Sequence, residues 1–464
     1  MPVVKLKDPP AGLSKRIEVQ ANPKRGGEGE VFFSRDGKHA VKVFHKPHAE
    51  EEQMLLQVMA IFHSLPPNQE KFILPPLALV DSLDGQKRVG FIMRRVPPHY
   101  EELLEMVMSP IAAARQFQQG KRWSDFLKVA RSLTHALGVL HAKGCAHSDV
   151  AYRNFMANLD EGHAVMLESD GIVVAGFKEP KMAGSPGFMA PEILMDGVRP
   201  NLFTDRHSLA VLVLHTLLFR NVMEPIIEYA DEQTESDRLG WGRYALFSEH
   251  PQDRRHRPRQ VGIPLYQKGA LSYLMLTPAL KRLTESALID NLRVPDKRPT
   301  SRQWESALAC AMDEIWMCHR CRQHFPYPYW LAPAARRACP FCGERVQSHP
   351  VILELYEKRS QDNYHAIGRK VLLGPGFKIF PDVAEPGWDH PPLTRRGAIG
   401  LGHVVWDKAH GQYRLVNDEG GRWTARSQDG TKRFAAGKDE SLPLAPGHFI
   451  HFGEGRRLAV VMPM

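Results

Sequence analysis

Four of the six cysteines form two close pairs, Cys318-His319-Arg320-Cys321 and Cys339-Pro340-Phe341-Cys342, with 17 residues between them. Two C-x2-C pairs at this spacing can bring four thiolates to the corners of a tetrahedron, as in structural zinc sites. We therefore predict a four-cysteine zinc ribbon over residues 314–348, with a redox or disulfide role as the weaker alternative. Because four thiolates leave no open coordination position, this zinc would hold a fold together rather than catalyse.

A glycine-rich segment lies at residues 24–31, directly before a predicted hairpin. Gly26, Gly27 and Gly29 would let backbone N–H groups approach phosphate oxygens, although such a segment is more often a simple turn. Beyond it, Lys42 lies on an apolar strand, where an unpaired ammonium group is costly to bury. A glutamate of residues 50–52 could pair with Lys42; the alternative is a lysine whose charge reaches solvent from an edge strand.

A third group of candidate functional residues forms a series of short motifs between positions 147 and 300. In chain order, the motifs are His147-Ser148-Asp149 with Asn154, Asp170-Gly171, Gly184-Ser185-Pro186-Gly187-Phe188-Met189-Ala190-Pro191-Glu192, Thr204-Asp205-Arg206-His207-Ser208-Leu209-Ala210 and Arg298-Pro299-Thr300. With the glycine-rich segment and Lys42, this series resembles the eukaryotic-like protein kinases, including their H-R-D-x-x-x-x-N, D-F-G and A-P-E motifs. The resemblance covers about residues 20–313.

The resemblance implies an ATP- and Mg²⁺-dependent kinase that transfers the γ-phosphoryl group to a serine or threonine hydroxyl of a protein substrate. It implies nucleotide contacts by Gly26, Gly27, Gly29, Val31, Ala40, Lys42, Glu52, Met93, Asn154 and Asp170. Within this set, Lys42 would hold the α- and β-phosphates. We favour Glu52 as its partner, with Glu51 next, because Leu55, Leu56 and Met59 are expected to face inward with Glu52.

The resemblance also implies the reacting groups. Asn154 and Asp170 would hold Mg²⁺, which prefers oxygen ligands, and Asp149 would orient the attacking hydroxyl or accept its proton. Arg298 would pair with Glu192. The sequence departs from the kinase pattern at Ser148, at Ala151 in place of a lysine, and at Asp170-Gly171-Ile172. A nucleotide-binding pseudokinase scaffold that acts through protein–protein interaction is therefore the alternative function.

These residues must be positioned by a strand-rich lobe, about residues 20–96, and a helical lobe, about residues 97–313. Hydrophobic spacing predicts a hairpin at residues 29–44 and helices at residues 50–65, 123–140, 208–219, 270–290 and 301–316. We therefore predict an α+β protein with a two-lobed kinase fold, followed by the zinc ribbon. The aromatic run at residues 325–330 is expected to pack against the kinase lobe, with a binding surface as the alternative.

Residues 349–464 alternate short apolar segments with turn pairs such as Asp429-Gly430, which predicts an all-β domain. The segments around Tyr413 and Trp423 resemble strands of a forkhead-associated β-sandwich, without that family's recognisable phosphothreonine-reading motif. Phosphopeptide binding and a structural or partner-docking role both stay open. This order of domains resembles bacterial kinases associated with tellurite resistance (TerY-P type), which implies a phosphatase or von Willebrand-type partner.

Composition and charge limit the class of protein. The chain has 464 residues, 43% apolar and 24% charged, which excludes a disordered or fibrous protein. Its net charge of +9 divides into +3 for residues 1–313, +3 for 314–350 and +3 for 351–464, so no nucleic-acid partner is expected. We expect a cytoplasmic protein with no membrane partner, because the N-terminus lacks an apolar core and the longest apolar run is shorter than the roughly 20 residues of a spanning helix.

Overall fold

The computed structural model describes residues 1–27, 29–46, 51–63, 68–167, 171–174, 184–331, 338–346, 350–360, 363–388, 390–392, 395 and 397–463. The chain divides into two compact units that alternate along the sequence. Unit 1 comprises Met1–Lys121, Ser132–Pro258 and Thr284–Arg302, and unit 2 comprises Arg122–Arg131, Arg259–Leu283 and Gln303–Met464. The three predicted domains, with boundaries near residues 313 and 348, stay a prediction.

Unit 1 begins with an antiparallel sheet. Its strands are β1 (Val3–Lys7), β2 (Arg16–Glu18), β3 (Lys24–Arg25), β4 (Gly29–Phe33), β5 (His39–Phe44), β6 (Ala78–Leu83), β7 (Gln86–Lys87) and β8 (Gly90–Arg94). They lie in the order β2-β1-β6-β8-β5-β4-β3, with β7 beside β6. The β4–β5 pairing confirms the predicted hairpin, and Gly37 in its turn has φ +71°. Strands β1 and β2 extend the sheet beyond the lobe that the sequence predicted from residue 20.

Helix α1 (Glu51–His63) packs on one face of this sheet. Its buried side chains are Glu51, Leu55, Val58 and Phe62, a spacing that forms a single face of a helix. Leu55 joins Phe44 and Phe91 in one apolar cluster. The helix therefore presents its first residue, rather than its second, to the sheet.

The rest of unit 1 is mainly helical. The helices that lie wholly or partly in it are α2 (Leu103–Val107), α3 (Pro110–Gln118), α4 (Trp123–His141), α5 (Pro191–Asp196), α6 (Leu202–Leu218), α7 (Gln233–Arg238), α8 (Pro278–Glu285) and α9 (Ser301–Ala311), with α4, α8 and α9 running across unit boundaries. The short strands are β9 (Glu101–Glu102), β10 (Cys145–His147), β11 (Phe155–Asn158), β12 (His163–Met166) and β13 (Ile172–Val174).

Helix α6 is buried along nearly its whole length and begins earlier than its apolar run. Asn201 caps the helix, since its side chain accepts from the N–H of Thr204 while the Thr204 hydroxyl accepts from the N–H of Asn201. The first turn carries Asp205 into the interior of unit 1. The helix predicted at residues 208–219 is therefore present, but it begins six residues earlier, at Leu202, and ends at Leu218.

Unit 2 contains a small hairpin and a β-rich C-terminal region. The hairpin strands are β14 (Ile315–Met317) and β15 (His324–Pro326). In the C-terminal region, β16 (Val351–Ser360), β17 (Asn363–Leu373), β21 (Trp423–Arg426), β22 (Arg433–Ala436), β24 (Phe449–His451) and β25 (Leu458–Val461) form one sheet, in the order β17-β16-β25-β24-β21-β22. Strands β18 (Lys378–Ile379), β19 (Gly402–Asp407), β20 (Gln412–Asn417) and β23 (Ser441–Pro443) form the other, and helix α10 is Pro381–Ala384.

The two C-terminal sheets share one hydrophobic core. Side chains from both sheets, including Leu353, Leu415, Trp423 and Leu442, are fully buried in it. The mixed α and β content and the β-rich C-terminal region are therefore confirmed. The first aromatic residues of the run at residues 325–330 are also buried, with Phe325 and Tyr327 2% and 0% exposed, whereas Tyr329 and Trp330 are partly exposed. The ring of Tyr327 lies 6.0 Å from that of Trp316 in the same unit.

Candidate active site and cysteine cluster

Asp149 follows strand β10 and lies at the centre of a hydrogen-bond cluster in unit 1. The Asn154 amide donates to its carboxylate Oδ2 at 2.9 Å and to its main-chain oxygen at 2.7 Å. From the other side, the Ser185 N–H donates to Oδ1 at 2.6 Å and the Ser185 hydroxyl donates to Oδ2 at 2.9 Å. The structure thus brings two predicted site residues together, and it adds Ser185, for which the sequence analysis assigned no role.

A second carboxylate, buried on α6, forms hydrogen bonds with the segment that leads to Asp149. Asp205 Oδ2 accepts from the N–H of His147 at 2.7 Å and lies 3.0 Å from Nε2 of His141. The His147 ring, 1% exposed, accepts from the N–H of Asp149 through Nδ1, at 3.2 Å. Its Nε2 lies 3.3 Å from the Leu167 carbonyl, which fits a ring protonated on Nε2. The backbone of Asp149 is therefore anchored to the buried helix α6 through His147.

Lys42 lies on β5 and is 8% exposed. It is directly opposite Val31 on β4, and Ala40 is directly opposite Met93 on β8. Because directly paired residues, and residues two apart on a strand, share a face, these four side chains lie on the same side of the sheet. This is also the side that carries helix α1, since Leu55 packs with Phe91, the other partner of Lys42.

The glutamates of α1 differ from their predicted arrangement. Glu52 is 37% exposed, and its Oε1 accepts from Nζ of Lys7 at 2.5 Å. Glu51 is 2% exposed and belongs to the buried face of the helix, whereas Leu56, expected to face inward, is 51% exposed. The reason is the phase of the helix: Glu51 shares a face with Leu55, and Glu52 lies about 100° further round. Glu51 is thus the glutamate that faces the sheet.

The glycines of the predicted phosphate-binding segment are of two kinds. Gly26 and Gly27 lie before β4 and are exposed. A Cβ at Gly27 would meet open space, and one at Gly26 would lie 3.7 Å from the Gly29 carbonyl oxygen, an ordinary contact distance. Gly29 is buried, and a Cβ there would lie 2.4 Å from the carbonyl oxygen of Val43. Close packing of β4 on β5 therefore requires Gly29. Asp170, predicted to bind nucleotide and Mg²⁺, lies outside the described residues.

An ion pair joins two motifs that are distant in sequence. Arg298, fully buried, donates from Nη1 to Glu192 Oε1 at 2.6 Å and from Nη2 to Oε2 at 2.8 Å. Arg298 also donates to the carbonyls of Leu292 and Phe203. The pairing predicted from the resemblance is confirmed, and the additional carbonyl contacts satisfy the buried guanidinium.

Ala151 stands at the position where the kinase pattern has a lysine, two residues after Asp149. Ala151 is fully buried, and the side chain of Arg153 is exposed to solvent. His215 on α6 packs beneath this loop, with its ring 5.1 Å from that of Tyr152 and 5.9 Å from that of Phe188. Burial lowers the pKa of His215 from its ordinary 6.5 to about 4. The floor of the loop therefore contains a neutral imidazole at neutral pH.

The four predicted zinc ligands meet in unit 2. The Sγ atoms of Cys318, Cys321, Cys339 and Cys342 all lie within 4.8 Å of one another. Two of the separations are 3.7 Å, between Cys318 and Cys342 and between Cys321 and Cys339. A tetrahedron with Zn–S bonds of ~2.3 Å has edges of ~3.8 Å, whereas a disulfide bond is ~2.05 Å long. The cluster therefore fits a four-thiolate metal site and contains no disulfide.

The backbone of the two cysteine pairs is nearly the same. The N–H of Cys318 donates to the Gln323 carbonyl at 2.9 Å, and the N–H of Cys339 donates to that of Glu344 at 2.8 Å. The residue that follows each pair is left-handed, with φ +61° at Arg322 and +79° at Gly343. Each pair thus forms a tight turn that points two sulfur atoms at a common centre.

Comparisons with known proteins agree with part of this interpretation. Over 115 residues the chain is 32% identical to a probable serine/threonine-protein kinase of Schizosaccharomyces pombe, covering 23% of this chain and 14% of that protein. Over 100 residues it is 31% identical to a probable myosin light chain kinase of Dictyostelium discoideum, covering 21% of this chain and 32% of that protein. No protein-family model matches the chain. These partial matches indicate a kinase-like relationship over about a fifth of the chain.

Among the described residues, no helix combines the length and the apolar character that crossing a membrane requires.

Proposed function

We propose that this protein is an ATP- and Mg²⁺-dependent serine/threonine protein kinase. The observation that carries the proposal is the hydroxyl group of Ser185 at 2.9 Å from Oδ2 of Asp149, while Asn154 holds the same carboxylate. A base that orients a hydroxyl for attack must lie within hydrogen-bond reach of it, and Asp149 meets this requirement with a hydroxyl of its own chain. The partial similarity to two probable kinases supports the proposal.

The surrounding residues fit a magnesium nucleotide. Both side-chain hydrogen bonds of Asn154 use its amide nitrogen, so within the described residues its Oδ1 has no hydrogen-bond partner and is a suitable ligand for a hard cation. Lys42 would hold the phosphates, with Val31, Ala40 and Met93 on the same face of the sheet as the contacts to the base. Bound MgATP supplies the phosphoryl group that is transferred.

The residues of the chain would then position the reactants and neutralise the charge on the transferred phosphoryl group. Asp149 would orient the substrate hydroxyl and accept its proton as the new oxygen–phosphorus bond forms and the bond from the γ-phosphorus to the β–γ bridging oxygen breaks, with ADP as the leaving group. Asn154 and Asp170 would hold Mg²⁺. Gly27 would offer its backbone N–H to the phosphates, whereas the N–H of Gly26 donates to the Gly29 carbonyl at 2.9 Å. Zinc at the four cysteines would be structural, and the C-terminal β region would dock a protein partner or substrate.

A pseudokinase scaffold is the second candidate. It is favoured by Ala151, which puts a buried methyl group where the kinase pattern has a lysine that contacts the γ-phosphate. In this function the residues around Lys42 would bind nucleotide without transferring phosphate, and the protein would act by docking partners.

A phosphorylation assay with radioactive ATP distinguishes the two candidates. The full-length protein, Asp149→Asn and the matched control Asp160→Asn are each incubated with γ-labelled ATP, Mg²⁺ and several protein substrates. Asp160 is a suitable control because its side chain is 76% exposed and pairs only with Lys121 among the described residues. We expect incorporation by wild type and Asp160→Asn, and a loss of about 100-fold or more for Asp149→Asn, the scale of a lost general base.

Two results would contradict the kinase proposal. One is incorporation that is unchanged in Asp149→Asn, which would point to a contaminating kinase. The other is no incorporation by wild type with any substrate. If wild type still binds a fluorescent ATP analogue in that case, the pseudokinase candidate is favoured.

A further inference from the structure

The outer face of the six-stranded C-terminal sheet forms a groove of about 1170 Å³. Strand register defines two rows of side chains across it. One row contains Leu458, His451 and Thr424, and the next contains Val460, Phe449 and Arg426. Their neighbours along the strands, such as Ala459 and Ala425, face the core instead. The groove is therefore a second candidate functional surface. It is formed on the strands of the sheet, and none of the four clustered cysteines lines it.

Three arginines line one side of this groove. Thr424 and Arg426 lie on β21, and Arg422 directly precedes that strand at the same two-residue spacing. Arg433 lies on β22 directly opposite Arg426. Like charges that face each other across a strand pair destabilise a sheet. The arrangement therefore has a cost in the free protein that an anion between the two guanidinium groups would remove.

The charges of these arginines are not neutralised within the described residues. Arg422, Arg426 and Arg433 form no ion pair there, and no aspartate or glutamate lines the groove. The buried arginines of unit 2 behave differently: Arg369 pairs with Asp313 and Asp382, and Arg457 pairs with Glu357. This face thus carries three guanidinium groups without an ion pair among the described residues, although residues 351–464 together carry an excess of only +3.

Aromatic rings line the same face. Phe449, Tyr356 and Tyr364 are all partly exposed. The Arg426 guanidinium lies 5.3 Å from the centre of the Phe449 ring, and the rings of Tyr364 and His451 are 5.8 Å apart at 73°. A ligand with only one or two phosphates needs the arginines but not a row of rings. The rings lie on β17, β16 and β24, and the arginines lie beside them on β21 and β22 and just before β21. A chain that carries both phosphates and flat bases can contact the two groups at once.

We propose that this face binds single-stranded nucleic acid, with phosphates on Arg422, Arg426 and Arg433 and bases stacked on Tyr356, Tyr364 and Phe449. Six strands at a spacing of ~4.8 Å give a face ~24 Å across, which accommodates several nucleotides. The inference does not depend on the proposed kinase activity, since none of its residues belongs to the candidate active site. It concerns one sheet face only, and it places a nucleic-acid surface where charge counts along the sequence show none.

Fluorescence anisotropy with labelled oligonucleotides tests the proposal on the full chain. The probes are a 12-nucleotide oligo-dT and an abasic strand of the same length. The variants are Arg426→Ala/Arg433→Ala, Tyr364→Leu, and the control Lys408→Ala/Lys438→Ala, which removes two exposed charges elsewhere in the same region. Circular dichroism and melting curves establish that each variant is folded, and Asp149→Asn separates this surface from the active site.

We expect wild type, the lysine control and Asp149→Asn to bind oligo-dT with similar affinity. The arginine double variant should bind about 10-fold or more weakly, with a log–log salt slope smaller by about 1.4, the value for two phosphate contacts on a single strand. Tyr364→Leu should lose about 5- to 150-fold, and the abasic strand should bind wild type less tightly than oligo-dT.

Several outcomes would overturn the proposal. They are absence of binding at about 50 mM salt, where phosphate contacts are strong, equal weakening by the lysine control, and equal affinity for the abasic strand. Displacement of oligo-dT by a phosphothreonine peptide at comparable concentration would also overturn it, because the groove would then recognise a peptide-borne phosphate. A folded Arg433→Glu variant, which reverses one charge at an edge strand, provides a second test if the double variant fails to fold.

Discussion

Ser185 contributes two hydrogen bonds to one carboxylate, through its N–H and through its hydroxyl. The first bond depends only on the backbone, while the second depends on the side chain, so the two can be separated by substitution. With Asn154 on the other side, the side chain of Asp149 is held in one orientation. Removing the Ser185 hydroxyl alone would show how far the orientation of Asp149 depends on it.

On the proposed kinase function, Ser185→Ala should lower the rate of phosphate incorporation by about 10-fold, because a hydrogen bond to a charged group contributes on the order of 1.5 kcal/mol. Ser185→Thr keeps a hydroxyl and should retain most of the rate. The measurement is the initial rate at saturating ATP, with melting curves as a check on folding. An alanine variant as fast as wild type would show that Asn154 and the Ser185 N–H suffice.

Several site residues could be read from the sequence because the spacing of His147, Asp149 and Asn154 is local. The role of Glu51 could not be read in this way, because the choice between Glu51 and Glu52 depends on helix phase. For the same reason Leu56 lies on the exposed face and not on the predicted inner face. For the groove, a sequence signal did exist. In Arg422-Trp423-Thr424-Ala425-Arg426, polar and apolar residues alternate, which predicts a strand with two arginines on its outer face. The cross-strand position of Arg433 requires the register and could not be read from the sequence.

At the scale of elements, helix α6 joins several parts of unit 1. Its first turn supplies Asp205 to His147, and its last turn supplies His215 beneath Tyr152 and Phe188. The apolar residues of this helix predict it from the sequence, with a start at residue 208. The helix continues back through the polar residues 204–207 to a cap formed by Asn201 and Thr204, and the apolar run alone does not indicate this extension.

The pKa of His215 makes the stability of unit 1 depend on pH. Since its folded-state pKa of about 4 lies below its ordinary 6.5, the unfolded chain binds the proton first as the pH falls. The contribution of His215 is therefore complete above pH 6.5 and is lost between pH 6.5 and about 4, by about 3 kcal/mol in total. His215→Met should make denaturant unfolding less dependent on pH in this window.

The comparison for this prediction is the difference between wild type and His215→Met, measured at about pH 7 and about pH 4, on either side of the titration. Other groups also titrate in this range, and they contribute equally to both proteins. A difference in unfolding free energy that is the same at both pH values would contradict the prediction. A difference that favours the methionine variant more at the lower pH than at the higher one agrees with it.

At the scale of the molecule, the cysteine cluster brings together two segments of unit 2 that are 17 residues apart. Freshly purified protein should contain one zinc ion per chain, and chelation should lower the melting temperature because structural zinc sites contribute directly to folding. Elemental analysis and melting curves with and without chelator measure this. Cys339→Ser should lose the metal, whereas Cys310→Ser, a cysteine outside the cluster, should keep it. Zinc-free protein with an unchanged melting temperature would contradict the assignment.

The alternation of the two units along the chain bears on how the protein acquires its fold. Residues 122–131 and 259–283 belong with residues 303–464, and they are separated from them by long stretches of unit 1. Contacts between positions so far apart in sequence raise the contact order, and loop closure must precede their formation. Unit 2 is therefore expected to assemble slowly, with its early segments waiting for residues synthesised much later. During that interval their apolar side chains, such as Trp123, are candidates for chaperone binding.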